Sequence, residues 1–206
     1  MAGNNSAEIR VAGTGKLFVA TAGADAPSFG ADPAADWAST TWTNLGYTTG
    51  DGVTFSKKDK LEPIDTWQSV SPVHFIYSSR DLSLKFSMLQ FNEDTLPFFM
   101  GGGKVEAEPA ASTDTYKYEI AERPYADVRA LGLEFTDVKV GGAAVTYRFI
   151  IPRGQVTASD DIKLARKAAS TLGITFTAMS NGDGKPLATF LMKDNQYGTS
   201  ASSSSG

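Results

Sequence analysis

The chain has 206 residues, a hydrophobic content of 41% and a formal net charge of −4, and it contains no cysteine. The missing cysteines exclude disulfides, thiol nucleophiles, zinc–thiolate sites and iron–sulfur clusters. The acidic balance provides no overall basic field that would attract nucleic acid, so phosphate binding is not expected to be the main function. A chain of this length and hydrophobic content can bury one core, which favours a single domain.

The sequence has no feature of a membrane or secreted protein. No apolar run approaches the ~20 residues that a membrane helix requires. The N-terminal sequence MAGNNSAEIR lacks the apolar centre of a signal peptide. We therefore expect a soluble protein that is made without export and does not insert into a membrane.

The first third of the chain alternates strand candidates with loop-forming segments. Residues 16–20 (KLFVA) predict a short strand, and the stretch Thr21–Ser39, rich in Ala, Gly, Pro and Asp, indicates a loop or N-terminal arm. Thr40–Tyr47 is rich in β-forming residues, and Gly50–Gly52 marks a tight turn. The segment Asp51–Asp65 is too charged for a core, so we expect a long inserted loop that is either mobile or becomes ordered against a partner.

Period-two alternation dominates residues 66–90, TWQSVSPVHFIYSSRDLSLKFSMLQ. Four apolar side chains share one face of a strand in its second half: Leu82, Leu84, Phe86 and Met88. Three share a face in its first half: Val73, Phe75 and Tyr77. The polar residues Ser78–Asp81 between the two runs predict the turn of a β-hairpin. We expect Leu84 and Phe86 to pack in the core.

His74 is the only histidine of the chain and lies in the first of these runs. No cysteine or serine motif accompanies it, and catalytic histidines need a nucleophile or a metal nearby. Asn181–Gly184 (NGDG) has part of the composition of a calcium loop but lacks the remaining EF-hand ligands, so a turn is expected there. The sequence therefore predicts no enzyme activity, no cofactor and no metal site.

One short helix is indicated in the middle of the chain. Asn92 is a good N-cap, acidic residues follow it, and Gly101–Gly103 is typical of a helix end. These signals predict a helix over Glu93–Met100, with Pro97 in its first turns. The following segment, Lys104–Asp114, is expected to be a loop.

Alternating patterns return through the second half of the sequence. They predict strands near residues 116–120, 131–135, 145–151, 172–178 and 187–192. Asp137–Val140, followed by Gly141-Gly142, predicts a second hairpin. The end of the chain, GTSASSSSG, is a polar low-complexity tail.

These elements predict a mainly β fold, a β-sandwich or partly open barrel with one short α-helix. We expect a single domain over residues 1–192, with an N-terminal arm and a long inserted loop, followed by a flexible tail over residues 193–206. Trp37, Trp42 and Trp67 leave an alternative function open, because exposed tryptophans could stack on sugars in a carbohydrate-binding β-sandwich module.

The order of the segments from Leu45 to Gly103 resembles the major tail tube proteins of long-tailed bacteriophages and of related prophage or gene-transfer particles. The resemblance consists of a glycine and an aromatic residue before DGV, a charged loop, a tryptophan near Gln-Ser, a hairpin and a short helix. The matching positions are Gly46, Tyr47, Asp51–Val53, Lys57–Lys60, Trp67–Ser69, Val73–Met88 and Asn92–Met100. Ile150–Pro152 and Leu187–Phe190 are also similar, so the resemblance covers roughly residues 16–192.

This resemblance implies a structural virion protein of the phage tail. Its subunits would be tail-tube β-sandwiches that join in hexameric rings, with inner strands forming a ring-wide β-barrel, and the stacked rings would conduct DNA during ejection into the host. The implied partners are other copies of the chain, a tape measure protein, tail terminator and tail tip proteins, and double-stranded DNA that passes without specific binding. The protein would be synthesised in the host cytoplasm and located in the virion.

The resemblance also assigns expected roles to surface residues. The N-terminal arm and the charged loop would hold rings together, with the loop contributing Asp51, Lys57, Lys58, Asp59, Lys60 and Glu62. The face opposite the apolar side chains of the hairpin, with Ser83, Lys85 and Ser87, would point either toward the lumen or toward a neighbouring subunit. Because a lysine in the lumen would attract phosphate, we expect Glu134 and Asp137 to offset Lys85.

Overall fold

The computed structural model describes residues 4, 8–30, 37, 41–108, 114–123, 125–138, 144–182 and 184–194. Within these residues the protein is mainly β, with ten strands and one short α-helix. The strands are β1 (Thr14–Thr21), β2 (Trp42–Asn44), β3 (Thr54–Thr66), β4 (Ser69–Met88), β5 (Val105–Ala107), β6 (Tyr116–Tyr118), β7 (Arg129–Val138), β8 (Ala144–Ser159), β9 (Leu172–Ala178) and β10 (Thr189–Lys193), and the helix is α1 (Thr95–Met100).

The chain forms two compact units. Unit 1 contains Met1–Tyr47, Val128–Arg153 and Ser180–Gly206, and unit 2 contains Thr48–Asp127 and Gly154–Met179. Strand β8 begins in unit 1 and ends in unit 2. The mainly β fold predicted from the sequence is confirmed, and the organisation of residues 1–192 as one domain stays a prediction.

In unit 1, β1 pairs antiparallel with β2 and β7, and β10 pairs antiparallel with β8. Four consecutive residues of β1, Leu17 to Ala20, are buried, so this strand is covered on both faces. On one face Phe18 stacks on Trp37 with ring centroids 4.0 Å apart, and Trp42 meets Trp37 edge-on at 5.4 Å. The face is completed by Ala20, Ala130 and Ile150.

An ion pair lies within the interior of unit 1. The fully buried Arg148 donates from Nε to Oε2 of Glu134 at 2.7 Å, and Trp37 donates its indole N–H to the same oxygen at 2.7 Å. Nη1 of Arg148 donates to the carbonyl oxygens of Pro27 and Ser28. The pair therefore satisfies a buried charge and fastens the irregular segment before residue 30 to the sheet.

Unit 2 contains the C-terminal part of β8 and strands β9, β4 and β3, hydrogen-bonded in that order. The register places Leu84 opposite Phe176 and Phe86 opposite Ile174, so these apolar side chains share one face. Leu84 and Phe86 are buried there, and α1 packs against β9, with the Phe98 ring 5.9 Å from that of Phe176. β5 and β6 form a separate two-stranded sheet.

The helix begins two residues later than the sequence predicts. The N-cap is Asp94, which makes no side-chain capping bond, and not the predicted Asn92. Asn92 lies two residues earlier, where its Oδ1 accepts the amide protons of Asp94 and Thr95 at 3.0 and 2.8 Å. The glycine stop is confirmed, because Gly101 adopts a left-handed conformation with φ 81°. Gly102 follows with φ 128°, where a Cβ atom would lie 2.6 Å from Cβ of Tyr125.

Two predictions for residues 54–81 were wrong. The charged segment is not a loop, because β3 extends over Thr54–Thr66, and Ser78–Asp81 is not a turn, because β4 is continuous over Ser69–Met88. The hairpin turns instead at Trp67 and Gln68. What looked like a turn in the sequence is a β-bulge.

The bulge shifts the alternation of side chains by one residue. Lys60 pairs with Ser79 and Leu61 with Tyr77, which leaves Ser78 as an extra residue of β4. The Ser78 hydroxyl donates to the carbonyl of Lys60 at 3.3 Å. Phe75 and Tyr77, before the bulge, therefore lie on the same face of β4 as Leu82 and Leu84 after it.

Other predictions had mixed outcomes. Part of the predicted loop Lys104–Asp114 is strand β5, which pairs with β6. The turn residues of the second hairpin, 139–143, lie outside the described residues, as does the tail from residue 195 onward. The remaining predicted strands are present, with boundaries that differ by a few residues.

We expect Glu134→Ala to lower the free energy of unfolding by about 3–5 kcal/mol, because it leaves the buried Arg148 guanidinium without its carboxylate. Urea denaturation followed by tryptophan fluorescence measures the change. Glu119→Ala is the matched control, since the Glu119 side chain is 79% exposed. A loss below about 1 kcal/mol for Glu134→Ala would show that this pair does not stabilise unit 1.

We expect Phe86→Ala to cost about 3–5 kcal/mol of stability, because it opens a cavity in the core of unit 2, where Phe86 is buried. Phe75→Ala is the control on the same strand, where Phe75 is half exposed. The two variants are compared by urea denaturation of unassembled subunits. Equal effects of the two substitutions would contradict the burial of Phe86.

Candidate assembly surface

The distal half of the β3–β4 hairpin, residues 61–77, is the candidate site, and we refer to it as the hairpin arm. Every residue from 67 to 81 is exposed. β9 pairs with β4 over residues 83–88, so the hairpin arm lies beyond that pairing. β3 is the terminal strand of the hydrogen-bonded order, so no strand in the described part of the chain pairs with its outer edge. Open strand edges are templates for pairing with another chain.

The hairpin arm is unusually apolar for an exposed element. Its large exposed apolar side chains are Leu61, Ile64, Trp67, Val70, Val73, Phe75, Ile76 and Tyr77. Leu61 pairs with Tyr77 and Pro63 with Phe75, so these residues share a face. Ile64 and Ile76 lie on the opposite face, so apolar side chains are exposed on both faces of the arm, as at an interaction site.

Ion pairs hold the base of the hairpin arm together. Arg80 donates from Nε and Nη2 to the two carboxylate oxygens of Asp59, at 2.7 and 3.1 Å, and Lys57 Nζ lies 2.9 Å from Oδ2. These contacts, that of Arg80 foremost, lower the pKa of Asp59 to about 2. Lys60 pairs with Glu62 at 3.0 Å. The predicted stacking residues from Lys57 to Glu62 therefore lie on a strand, whereas Asp51 lies in the turn that ends at Gly52.

The predicted lumen residues of β4 lie on the face opposite the core of unit 2. Ser83 pairs with Thr177 and Lys85 with Thr175. Thr157 and Thr177 hydroxyls are 2.7 Å apart on the neighbouring strands. This face is therefore rich in hydroxyl groups.

The charge of Lys85 is offset by a carboxylate, but not, as the sequence predicted, by Glu134 or Asp137. Its Nζ lies 3.1 Å from Oδ1 of Asp160, and the two side chains are about half exposed. The amide of Asp160 donates to the carbonyl of Gly173, and a Cβ at Gly173 would lie 2.6 Å from Oδ2 of Asp160. Sequence analysis missed Asp160, because nothing in the spacing links residue 160 to residue 85.

The expectation that Glu134 and Asp137 offset Lys85 on an exposed face is wrong. Both are 7% exposed, and the Glu134 carboxylate is engaged by Arg148 and Trp37. Alternation along β7 could not reveal this, because the buried partners come from distant parts of the chain.

The three tryptophans do not form one stacking surface for sugars. Trp37 and Trp42 are buried in unit 1, whereas Trp67 is fully exposed at the turn of the hairpin arm. His74 is exposed on the same arm, opposite Ile64. Among the described residues, no group of three or more His, Cys, Asp or Glu side chains could hold a metal ion.

The helix α1 has only six residues, and no helix in the described part of the chain is long and apolar enough to span a membrane.

An antiparallel β fold with an open edge and an exposed apolar hairpin defines a subunit suited to assembly with other chains. The sequence matches the family described as phage tail tube protein over residues 1–202. The chain therefore belongs to this family, and it is a structural component of the phage tail that assembles into the tail tube with other tail proteins. A comparison with individual curated proteins gives no match.

The Asp59 ion pairs predict a pH dependence at the base of the hairpin arm. The pKa of Asp59 is about 2, below its ordinary value of 3.8, so the stabilisation is complete above pH 3.8 and is lost as the pH falls through 2. We expect a carboxyl NMR titration of unassembled subunits to give a midpoint near 2 for Asp59.

Arg80→Met is the matched variant, because it removes the largest contribution and should raise the Asp59 midpoint towards its ordinary value. A wild-type midpoint near 3.8, unchanged by Arg80→Met, would show that the ion pair does not form in solution.

Proposed function

We propose that the chain forms hexameric rings that stack into the tail tube, and that this tube conducts double-stranded DNA during ejection into the host. Membership of the phage tail tube family supports the tube. The proposed contacts between subunits rest on the exposed apolar side chains of the hairpin arm. The subunit is made in the host cytoplasm before assembly, and residues 1–192 act as one structural domain.

The hairpin arm joins neighbouring subunits. Burying its apolar side chains against another copy removes them from water, at roughly 25 cal/mol per Å² of apolar surface. The open edge of β3 lets strands of adjacent subunits pair, which gives the ring-wide barrel its continuity. Rotational symmetry repeats each contact around the ring, so a modest contact energy is multiplied.

The base of the hairpin arm contributes to ring stacking. Lys57, Asp59, Lys60 and Glu62 are already paired within the subunit. Lys58 makes no ion pair among the residues that the structure describes, so it has charge to offer another ring. Asp51 belongs to the same proposed surface, at the turn before β3. Exposed pairs of this kind contribute only ~0–1 kcal/mol each, so they set register more than strength.

The hydroxyl-rich face of unit 2 lines the lumen. Ser83 and Ser87 are neutral, and Asp160 offsets the charge of Lys85. A lining without uncompensated positive charge does not trap the phosphate backbone, whose binding depends on Lys and Arg contacts. Before ejection the tube holds a tape measure protein, and terminator and tip proteins close its ends.

Shortening the hairpin arm tests this function. We expect replacement of Leu61–Ser78 by Asn-Gly to leave a folded subunit that no longer forms tubes, because the two-residue turn joins the paired residues Lys60 and Ser79. Negative-stain microscopy and sedimentation measure assembly, and urea denaturation checks the fold.

Two double substitutions test whether assembly depends on the hairpin arm itself or only on the amount of exposed apolar surface. Phe75→Ser with Tyr77→Ser should impair assembly, whereas Ile120→Ser with Leu164→Ser should not, although all four residues are exposed. Tubes of normal length from the shortened subunit would refute the role of the hairpin arm.

A further inference from the structure

We propose that Gly173 is a positioning residue of the lumen: because it has no side chain, the Asp160 carboxylate can lie against Lys85, and this contact keeps the hydroxyl-rich face of unit 2 from retaining DNA. This inference rests on the proposed function, in which that face lines the lumen. It goes further by assigning the low affinity of the lumen for DNA to one ion pair and to the glycine that makes the pair possible.

Each lysine that β3 and β4 place on the hydroxyl-rich face has a carboxylate to balance it. Antiparallel partners share a face and alternate residues of a strand lie on one side, so the register assigns the residues of β3, β4 and β9 to faces. The lysines on this face and their carboxylates are Lys58 opposite Asp81, Lys60 paired with Glu62, and Lys85 paired with Asp160. Of these three carboxylates, only that of Asp160 comes from outside the two strands.

Asp160 reaches Lys85 across strand β9. It follows the last residue of β8, and its amide donates to the carbonyl of Gly173 at 2.8 Å. Its side chain extends over Gly173 towards β4, where Oδ1 lies 3.1 Å from Nζ of Lys85. On β9 itself, Lys85 has Thr175 opposite it, which carries no charge. The carboxylate that balances Lys85 is therefore held by the backbone of a strand that lies between them.

Position 173 requires glycine for space and not for backbone conformation. Gly173 lies within the regular strand β9, and its φ is outside the left-handed region. A Cβ there would lie 2.6 Å from Oδ2 of Asp160 and 3.1 Å from its Cβ and Cγ, whereas non-bonded carbon atoms pack best at ~3.5–4.0 Å. Since Cβ of Asp160 is among the close atoms, rotating the carboxylate alone does not relieve the clash. Glycine inside a strand often marks such a close approach.

Displacing Asp160 would leave Lys85 as a cation that DNA can contact. The side chains of Lys85 and Asp160 are about half exposed, so a phosphate group can reach the ammonium once the carboxylate has moved away. A single lysine–phosphate contact is weak, and its strength falls with salt concentration. An assembly of identical subunits repeats the contact in every copy, so DNA inside the tube would meet many such lysines at once. The pair with Asp160 therefore favours passage over retention.

Zero-length cross-linking tests the position of Asp160 in unassembled subunits. A carbodiimide activates a carboxylate, which then forms an amide bond with a lysine in direct contact, and peptide mass spectrometry detects the joined residues. We expect a link between Lys85 and Asp160 in the natural chain and its loss in Gly173→Ala. The link between Lys117 and Glu119, which lie 3.1 Å apart, is the internal control and should form in both proteins. Urea denaturation checks that the variant remains folded.

The rate of DNA release from phage particles with variant tubes tests the consequence. Release is triggered with an extract of the host surface and followed with a DNA-binding dye. We expect Asp160→Asn and Gly173→Ala to slow release at low salt, and each added phosphate contact to weaken about threefold when the salt concentration rises fourfold. Asp161→Asn is the matched control, because it removes the same charge at the next, exposed residue, and it should release DNA at the natural rate. Adding Lys85→Gln to Gly173→Ala should restore that rate, which it would not do if the defect were a loss of stability.

Ser83→Lys separates this inference from the proposed function. It adds an unbalanced cation to the same face, so it should slow release if that face lines the lumen. If Ser83→Lys slows release but Asp160→Asn and Gly173→Ala do not, the role of the Asp160 contact is wrong and the lumen assignment stands. A cross-link that persists in Gly173→Ala would overturn the positioning role of Gly173. If Ser83→Lys tubes release DNA at the natural rate, the lumen assignment fails and this inference fails with it.

Discussion

The extra residue at Ser78 determines on which face of β4 the exposed apolar side chains of the hairpin arm lie. A strand without the bulge would place Tyr77 and Phe75 on the face opposite Leu82 and Leu84. With the bulge, the face that carries the buried Leu82 and Leu84 also carries the exposed Phe75 and Tyr77, on the far side of the Asp59–Arg80 pair. The apolar residues of this face are therefore buried in the core at one end of β4 and exposed to solvent at the other. Phe86 is buried by its own chain, whereas Phe75 needs another one.

Unit 1 is organised by a buried ion pair rather than by a β-bulge. Arg148 and Glu134 form a charged pair in an interior that would accept apolar residues, and such pairs are weak evidence for stability in themselves. Their effect here is positional, because Arg148 also binds the carbonyls of Pro27 and Ser28 and its guanidinium lies 4.3 Å from the centroid of the Phe29 ring. The segment that contains Pro27 and Ser28, which the sequence predicts to be a loop or arm, is thereby held in a defined position.

Sequence reasoning succeeded where the relevant interactions are local. The strands were readable from period-two alternation, and the C-terminal end of α1 from Gly101, because pleating and capping involve neighbouring residues. It failed at Ser78, since a bulge and a turn both interrupt alternation and only the partner strand distinguishes them. It failed at Glu134 and Asp160 because alternation along one strand does not show which side chains of other segments it meets: Arg148 on the next strand for Glu134, and Lys85, 75 residues away in sequence, for Asp160. The charged β3 was read as a loop because its stabilising contacts lie across the hairpin, as between Asp59 and Arg80.

The distribution of charge fits the proposed role of the tube as a conduit for DNA. On the face proposed for the lumen, Lys85 is neutralised by Asp160 and its neighbours are hydroxyl groups, so phosphate finds neither strong attraction nor repulsion. At the base of the hairpin arm, lysines and carboxylates alternate and are mostly paired within the subunit, which lowers the cost of bringing like subunits together. The apolar residues of the arm then supply the attraction that the charges do not. The surfaces proposed for assembly and for the lumen are thus separate parts of unit 2, so on this proposal either can change in sequence without altering the other.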